Sequence, residues 1–176
     1  HDECHKNIKN YPILKNKYID IAKSWMIKNK LNKKKSNLVF VHIRRGDYLY
    51  WPSLKYPAVI DLKWYLNAIK LIKKKINNPK FILMGDDIKY IKKHFKKNKN
   101  LFISNNDLEI DMCIMHLCSH GILSPSSFAW WGAYLGLNKK KNYRSLYFAP
   151  KYWFNYNQKK WNYQSINSSN WITFIN

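Results

Sequence analysis

Arginine is nearly missing from this chain. Of 32 basic residues only Arg44, Arg45 and Arg144 are arginine, leaving 29 lysines. A position that stays arginine in such a composition needs more than positive charge. It needs the planar guanidinium fork that grips two oxygens of a phosphate or carboxylate at once. Other absences narrow the reading. No apolar run approaches the roughly 20 residues that cross a bilayer, and no secretory leader pattern is visible. The chain opens on His1 rather than Met, so the expectation is a processed product or a piece of a longer protein. Three cysteines, Cys4, Cys113 and Cys118, are odd in number and irregularly spaced, which implies no disulfide framework. Cys113, His116, Cys118 and His120 do not follow the spacing of zinc ligands on a helix, and no metal is expected. Neither G-x-G-x-x-G nor G-x-x-x-x-G-K-[ST] occurs, so the dinucleotide fingerprint and the P-loop do not apply. No internal repeat is apparent.

What is present suits one globular unit. The 176 residues are 46% hydrophobic and 16% aromatic, enough to build a substantial core. The formal charge of +22 invites a basic, polyanion- or nucleic-acid-binding module as an alternative function. The abundance of Lys, Asn, Ile, Tyr and Phe instead reads as a compositional bias of the genome. The runs Lys33–Lys35, Lys73–Lys75 and Lys139–Lys141 fall at element ends and exposed faces. No specific nucleic-acid partner is expected.

Periodicity alternates between short β-type runs and helical stretches. An amphipathic helix over Tyr18–Leu31 stands ahead of the alternation, within a segment 1–36. Residues 37–176 form the expected α/β domain. The expected strands are Asn37–Ile43, Lys80–Met84, Leu101–Ser104, His120–Leu123 and Tyr147–Ala149. The expected helices are Leu62–Ile76 after Asp61, Ile88–Phe95, Asp107–Cys118 capped by Asp107, and one opened by Ser126 and Ser127 and running to about Leu135. Strand–helix alternation with short connections predicts a Rossmann-like parallel sheet with helices on both faces. Such sheets bind ligands at the carboxyl ends of their strands. Three polar clusters fall there: His42 to Asp47, Gly85-Asp86-Asp87, and Ser124 to Ser127.

Strand alternation puts His42 and Arg44 on one face, with Ile43 and Arg45 on the other. Arg44 is assigned the ligand, an anionic oxygen pair. Arg45 is paired with Asp47 across the turn that Gly46 permits. Asp47 is also the candidate general base, set against that structural ion pair. Ser126 and Ser127 supply hydroxyls and free N–H groups at the positive end of a helix, a second anion-binding element.

These segments carry a resemblance. Val39–Leu49 (VFVHIRRGDYL), the acidic pair after Phe81–Met84, and Ser124–Gly136 (SPSSFAWWGAYLG) resemble, in order, motifs of the α-1,2-fucosyltransferases of glycosyltransferase family 11. Ala149–Phe154 is similar to its AP-x-x-WF stretch, and Asn170-Trp171-Ile172 to its closing tryptophan. The resemblance implies the donor half of a two-domain, GT-B-like glycosyltransferase that uses GDP-fucose, inverts configuration and needs no metal or other cofactor. It places Arg44 on the donor pyrophosphate, with His42 near the nucleoside or phosphates. Ser126, Ser127 and Phe128 would line the nucleotide pocket. Asp86 or Asp87 would contact base or ribose. The implied partners are a nucleotide sugar, a glycan acceptor and an N-terminal domain. Two features depart from the family. The Gly-rich GGLGNQLFQ-type opening is lacking, and Pro125 stands where a small or polar residue is usual. A truncated transferase that binds GDP without turnover is therefore a further reading.

Overall fold

The computed structural model describes residues 13–31, 37–96, 98–138, 145–152 and 171–176. Arg144, Cys4, the lysine runs at 33–35 and 139–141, Trp153, Phe154 and Asn170 lie outside them. In chain order the described elements are α1 (Asn16–Lys28), β1 (Asn37–Ile43), a 3-10 turn (Gly46–Leu49), α2 (Leu62–Lys75), β2 (Pro79–Gly85), α3 (Ile88–His94), β3 (Leu101–Ile103), α4 (Leu108–Leu117), β4 (His120–Ile122), α5 (Ser127–Asn138), β5 (Tyr147–Pro150) and β6 (Ile172–Ile175). The six strands form one sheet in the order β3-β2-β1-β4-β5-β6, and every pairing is parallel. The Rossmann-like architecture expected from the alternation is therefore present. Among the described residues no helix is long and apolar enough to cross a membrane.

Local sequence accounts for most element ends. Asn78 takes a positive φ of 48° and Pro79 cannot continue a helix, so α2 ends and β2 begins within four residues. Lys73, Lys74 and Lys75 occupy the last turn of α2, where positive charge meets the negative end of the helix dipole. Asp61 and Asp107 stand at the N-cap positions of α2 and α4, but neither makes a side-chain cap bond. The capping expected of Asp107 is thus corrected to a positional role. The side-chain cap is at Asp87 instead, whose carboxylate accepts from the Tyr90 amide at the start of α3. The 3-10 turn and β6 lie outside the sequence expectation.

Strand periodicity divides the core into two layers. Leu38, Phe40, Ile82, Met84, Leu123 and Tyr147 face α1, α4 and α5. Val39, Val41, Ile43, Phe81, Leu83 and Phe148 face α2 and α3. β1 is buried on both sides, and so reads as an apolar run over Leu38–Val41 and Ile43, with His42 its buried polar residue. Ala22 and Met26 of α1 are buried in the first layer, so the helix ahead of the alternation packs into the same core.

Gly121 shows how tightly β4 is held. A Cβ there would come 2.4 Å from the Phe40 ring and 2.9 Å from Tyr147. Gly121→Ala is expected to lower stability by roughly 1–3 kcal/mol, the usual cost of overpacking a core. Urea denaturation measures this, and an unchanged midpoint would contradict the packing described.

Candidate functional site

The strand order fixes where a site can form. β1 pairs with β2 on one edge and β4 on the other, so successive connections leave in opposite directions at the β1/β4 boundary. In open α/β sheets a crevice opens at the carboxyl ends of such a pair. His42 is the penultimate residue of β1 there, and Ser124 lies two residues beyond β4. Both are buried, and His42 Nδ1 and Ser124 Oγ are 2.6 Å apart. The Phe128 ring stands beside the imidazole, with centroids 5.5 Å apart.

Arg44 lies just beyond the end of β1. Its terminal nitrogens meet two carboxylates, Asp47 and Asp86, the latter at 2.9 Å. Asp86 also accepts from the Arg45 amide at 2.8 Å. Arg45 turns elsewhere. Its Nε meets Asp87 at 3.2 Å and its guanidinium lies 3.5 Å from the centre of the Tyr90 ring. The expected Arg45–Asp47 pair is therefore corrected. Asp47 pairs with Arg44, because the 3-10 turn folds the chain back and brings residues three apart together. Asp87 holds Arg45. The Tyr90 amide and Arg45 together keep the Asp87 carboxyl below its usual range, against the opposing effect of burial. Thus Asp86 and Asp87, expected at base or ribose, are engaged in fixing the two arginines.

Ser126 accepts from the Trp130 amide at 3.0 Å and stands just ahead of α5. The first turn of that helix, Ser127, Phe128 and Ala129, has no intrahelical acceptor for its N–H groups by construction. The structure therefore brings His42, Arg44, Asp47, Ser126, Ser127 and Phe128 to one edge of the sheet. An open cleft of about 480 Å³ adjoins Phe128, walled by Ile13, Leu14, Tyr18, Leu108 and Met112.

Sequence reasoning missed Ser124 as the partner of His42. It also missed Asp111, a buried acid on α4 that accepts from Ser104 just past β3. Asp111 was legible only as a member of an amphipathic face. An acid at an apolar-face position is the signal that would have raised it. Among the described residues no three His, Cys, Asp or Glu side chains converge as metal ligands. The imidazoles of His116 and His120 are hydrogen-bonded to the backbone at Leu135 and Leu146.

The chain is similar to known proteins. Residues 8–175 match the family described as glycosyl transferase family 11. An alpha-1,2-colitosyltransferase of Escherichia coli is 37% identical over 126 residues, 68% of this chain and 42% of that protein. The O-antigen biosynthesis glycosyltransferase WbnK of Escherichia coli is 30% identical, covering 78% of this chain and 44% of that protein. The galactoside 2-alpha-L-fucosyltransferase Sec1 of Mus musculus is 26% identical over 57% of this chain and 29% of that protein. The chain thus spans less than half the length of these relatives.

Two buried groups near the carboxyl edge titrate in opposite senses. Burial, aided by the Arg44 charge, lowers the His42 pKa to about 3, so the imidazole is neutral at physiological pH. Burial raises the Asp111 carboxyl to about 7, against the stabilising bond from Ser104. Unfolding restores an ordinary histidine near 6.5 and an ordinary aspartate near 3.8. Between pH 6.5 and about 3 the unfolded chain holds the extra proton at His42, so acidification destabilises. Between about 7 and 3.8 the folded chain holds the extra proton at Asp111, so acidification stabilises. The two effects oppose each other in the parent. Asp111→Asn should lose roughly 2–3 kcal/mol of stability between pH 7 and pH 4.5, relative to the parent's own change. His42→Gln should shift the opposite way. Urea midpoints at the two pH values measure both, and three parallel pH profiles would rule the arrangement out.

Proposed function

Because this chain belongs to glycosyl transferase family 11, we propose that it is the donor-binding portion of an α-1,2-fucosyltransferase. Its donor is GDP-fucose and its acceptor a galactose-type hydroxyl. One observation carries the reading: Arg44 directly follows the carboxyl end of β1, and the neighbouring strand β4 leads at its own carboxyl end into the N-terminus of α5. A guanidinium and a helix N-terminus form complementary halves of a diphosphate site. Phe128 and the adjoining apolar cleft offer a surface of suitable size for the nucleoside. His42, neutral and bound through Nδ1 to Ser124, presents Nε2 as its remaining polar atom.

The chemistry follows from these positions. The acceptor oxygen bonds to the anomeric carbon from the side opposite the diphosphate, so configuration inverts. The carbon–oxygen bond to GDP breaks, and the departing diphosphate gains negative charge. Arg44 and the α5 N-terminus stabilise that charge without a divalent ion. The donor must share Arg44 with the carboxylates that already hold it. Of these, Asp47 is the more exposed, and its release frees a carboxylate to accept the acceptor's proton. An N-terminal domain completes the acceptor side.

A colitosyl donor is the second reading, favoured by the 37% identity to a colitosyltransferase against 26% to a fucosyltransferase. A polyanion-binding module fits less well, since both described arginines are held by carboxylates.

Calorimetry against a nucleotide panel tests the proposal. GDP-fucose or GDP-colitose should bind more tightly than UDP- and CMP-sugars, and GDP more tightly than GMP. Arg44→Lys should weaken GDP binding at least about tenfold, the loss of roughly 1.4 kcal/mol or more from one charged bidentate contact. Normal GDP binding by Arg44→Lys would sink the assignment.

A further inference from the structure

The segment from Tyr48 to Tyr56 exposes an unusual set of rings. Tyr50 is 65% exposed, Trp51 46% and Tyr56 36%, with Leu54 at 77% beside them. Apolar groups cost free energy in water, so a cluster of them at a site edge signals a ligand. The segment is not a loose loop. The Ala58 amide donates to Trp51 at 2.7 Å, Val59 to Tyr48 at 3.2 Å and Tyr56 to Ser53 at 3.1 Å. The base of the loop is thus pinned while its rings face solvent.

The rings continue the diphosphate site. The Tyr48 ring lies 5.5 Å from the Arg44 guanidinium, and Trp51 packs on Tyr48 with centroids 5.9 Å apart. A path of two rings therefore leads from the arginine to the exposed face. We propose that this platform is the subsite for the acceptor sugar, an uncharged pyranose of the galactoside class stacked on Trp51 and Tyr50. The proposal rests on the donor assignment of Arg44.

Two observations single out this occupant. The acceptor hydroxyl must reach the carbon bonded to the diphosphate, so the acceptor ring must lie within about one sugar of Arg44, where these rings are. The exposed groups are mostly aromatic, and a pyranose has an apolar C–H face that lies flat on a ring. Its hydroxyl rim meets the O–H groups that exposed tyrosines carry.

Saturation-transfer NMR on this chain tests it, with methyl β-galactoside and lactose as probes in the presence of GDP. The galactose ring protons of the apolar face should receive saturation. Trp51→Ala should reduce that signal at least fivefold, Tyr50→Ala should reduce it severalfold, and Trp51→Phe should keep most of it. A melting curve superposing on the parent's shows that a variant is folded, and the Trp51→Phe comparison holds if the alanine variant is not. A galactoside signal that Trp51→Ala and Tyr50→Ala leave intact overturns the proposal. So does a missing galactoside signal in a parent chain that binds GDP, which would hand the platform to a protein surface. A parent chain that fails to bind GDP overturns the donor assignment, and this proposal with it.

Discussion

β1 is bonded along both edges by parallel neighbours, from Asn37↔Pro79 to Ile43↔Gly85 on one side and at Val39↔His120 through Val41↔Ile122 on the other. Everything at the site depends on that double restraint. A strand bonded along both edges resists sliding, because a one-residue slip would break its ladders to β2 and β4 together and exchange the side chains fitted to its two packed layers. The residues that run off its end inherit the same register. His42 is therefore delivered to Ser124 and Phe128, and Arg44 to the mouth of the crevice. β2 ends beside β1, which places Asp86 and Asp87 against the arginine pair.

The local charge balance departs from that of the chain. Overall the sequence has 32 basic and 10 acidic residues. Around the crevice, Arg44 and Arg45 meet three of those carboxylates, Asp47, Asp86 and Asp87. The arginines are thus held in set rotamers, and the lysine-rich surface contributes little to their geometry. On the proposed reading, an anion entering here would exchange for a carboxylate rather than join a bare positive patch, which would favour one able to outcompete a neighbouring aspartate on a planar fork.

Much of this was legible beforehand. Periodicity located five of the six described strands and the five described helices within a few residues, because apolar runs of period two and stripes of helical spacing are direct consequences of burial. The scarcity of arginine singled out Arg44 and Arg45. What could not be read was pairing. Whether Asp47 meets Arg44 or Arg45 depends on the 3-10 turn, a conformation that nothing but Gly46 announces. Asp87 serves α3 as a cap and Arg45 as a counter-ion, and a spacing of 42 residues conveys neither. Ser124 and His42 meet only because β4 lies beside β1, a fact of strand order and not of local sequence. β6 escaped notice because Ile172–Ile175 is short and follows β5 at a distance.

The central position of β1 has a cost during synthesis. Its run Leu38–Ile43 emerges from the ribosome before Phe81 of β2 and well before His120 of β4. Until both arrive, an apolar strand with two open edges is exposed, the kind of segment prone to pair with other chains. The charged residues that close it, Arg44, Arg45 and Asp47, are placed where gatekeepers against aggregation stand in natural strands. On the proposed reading, the groups that would meet the donor also serve the nascent chain as a safeguard.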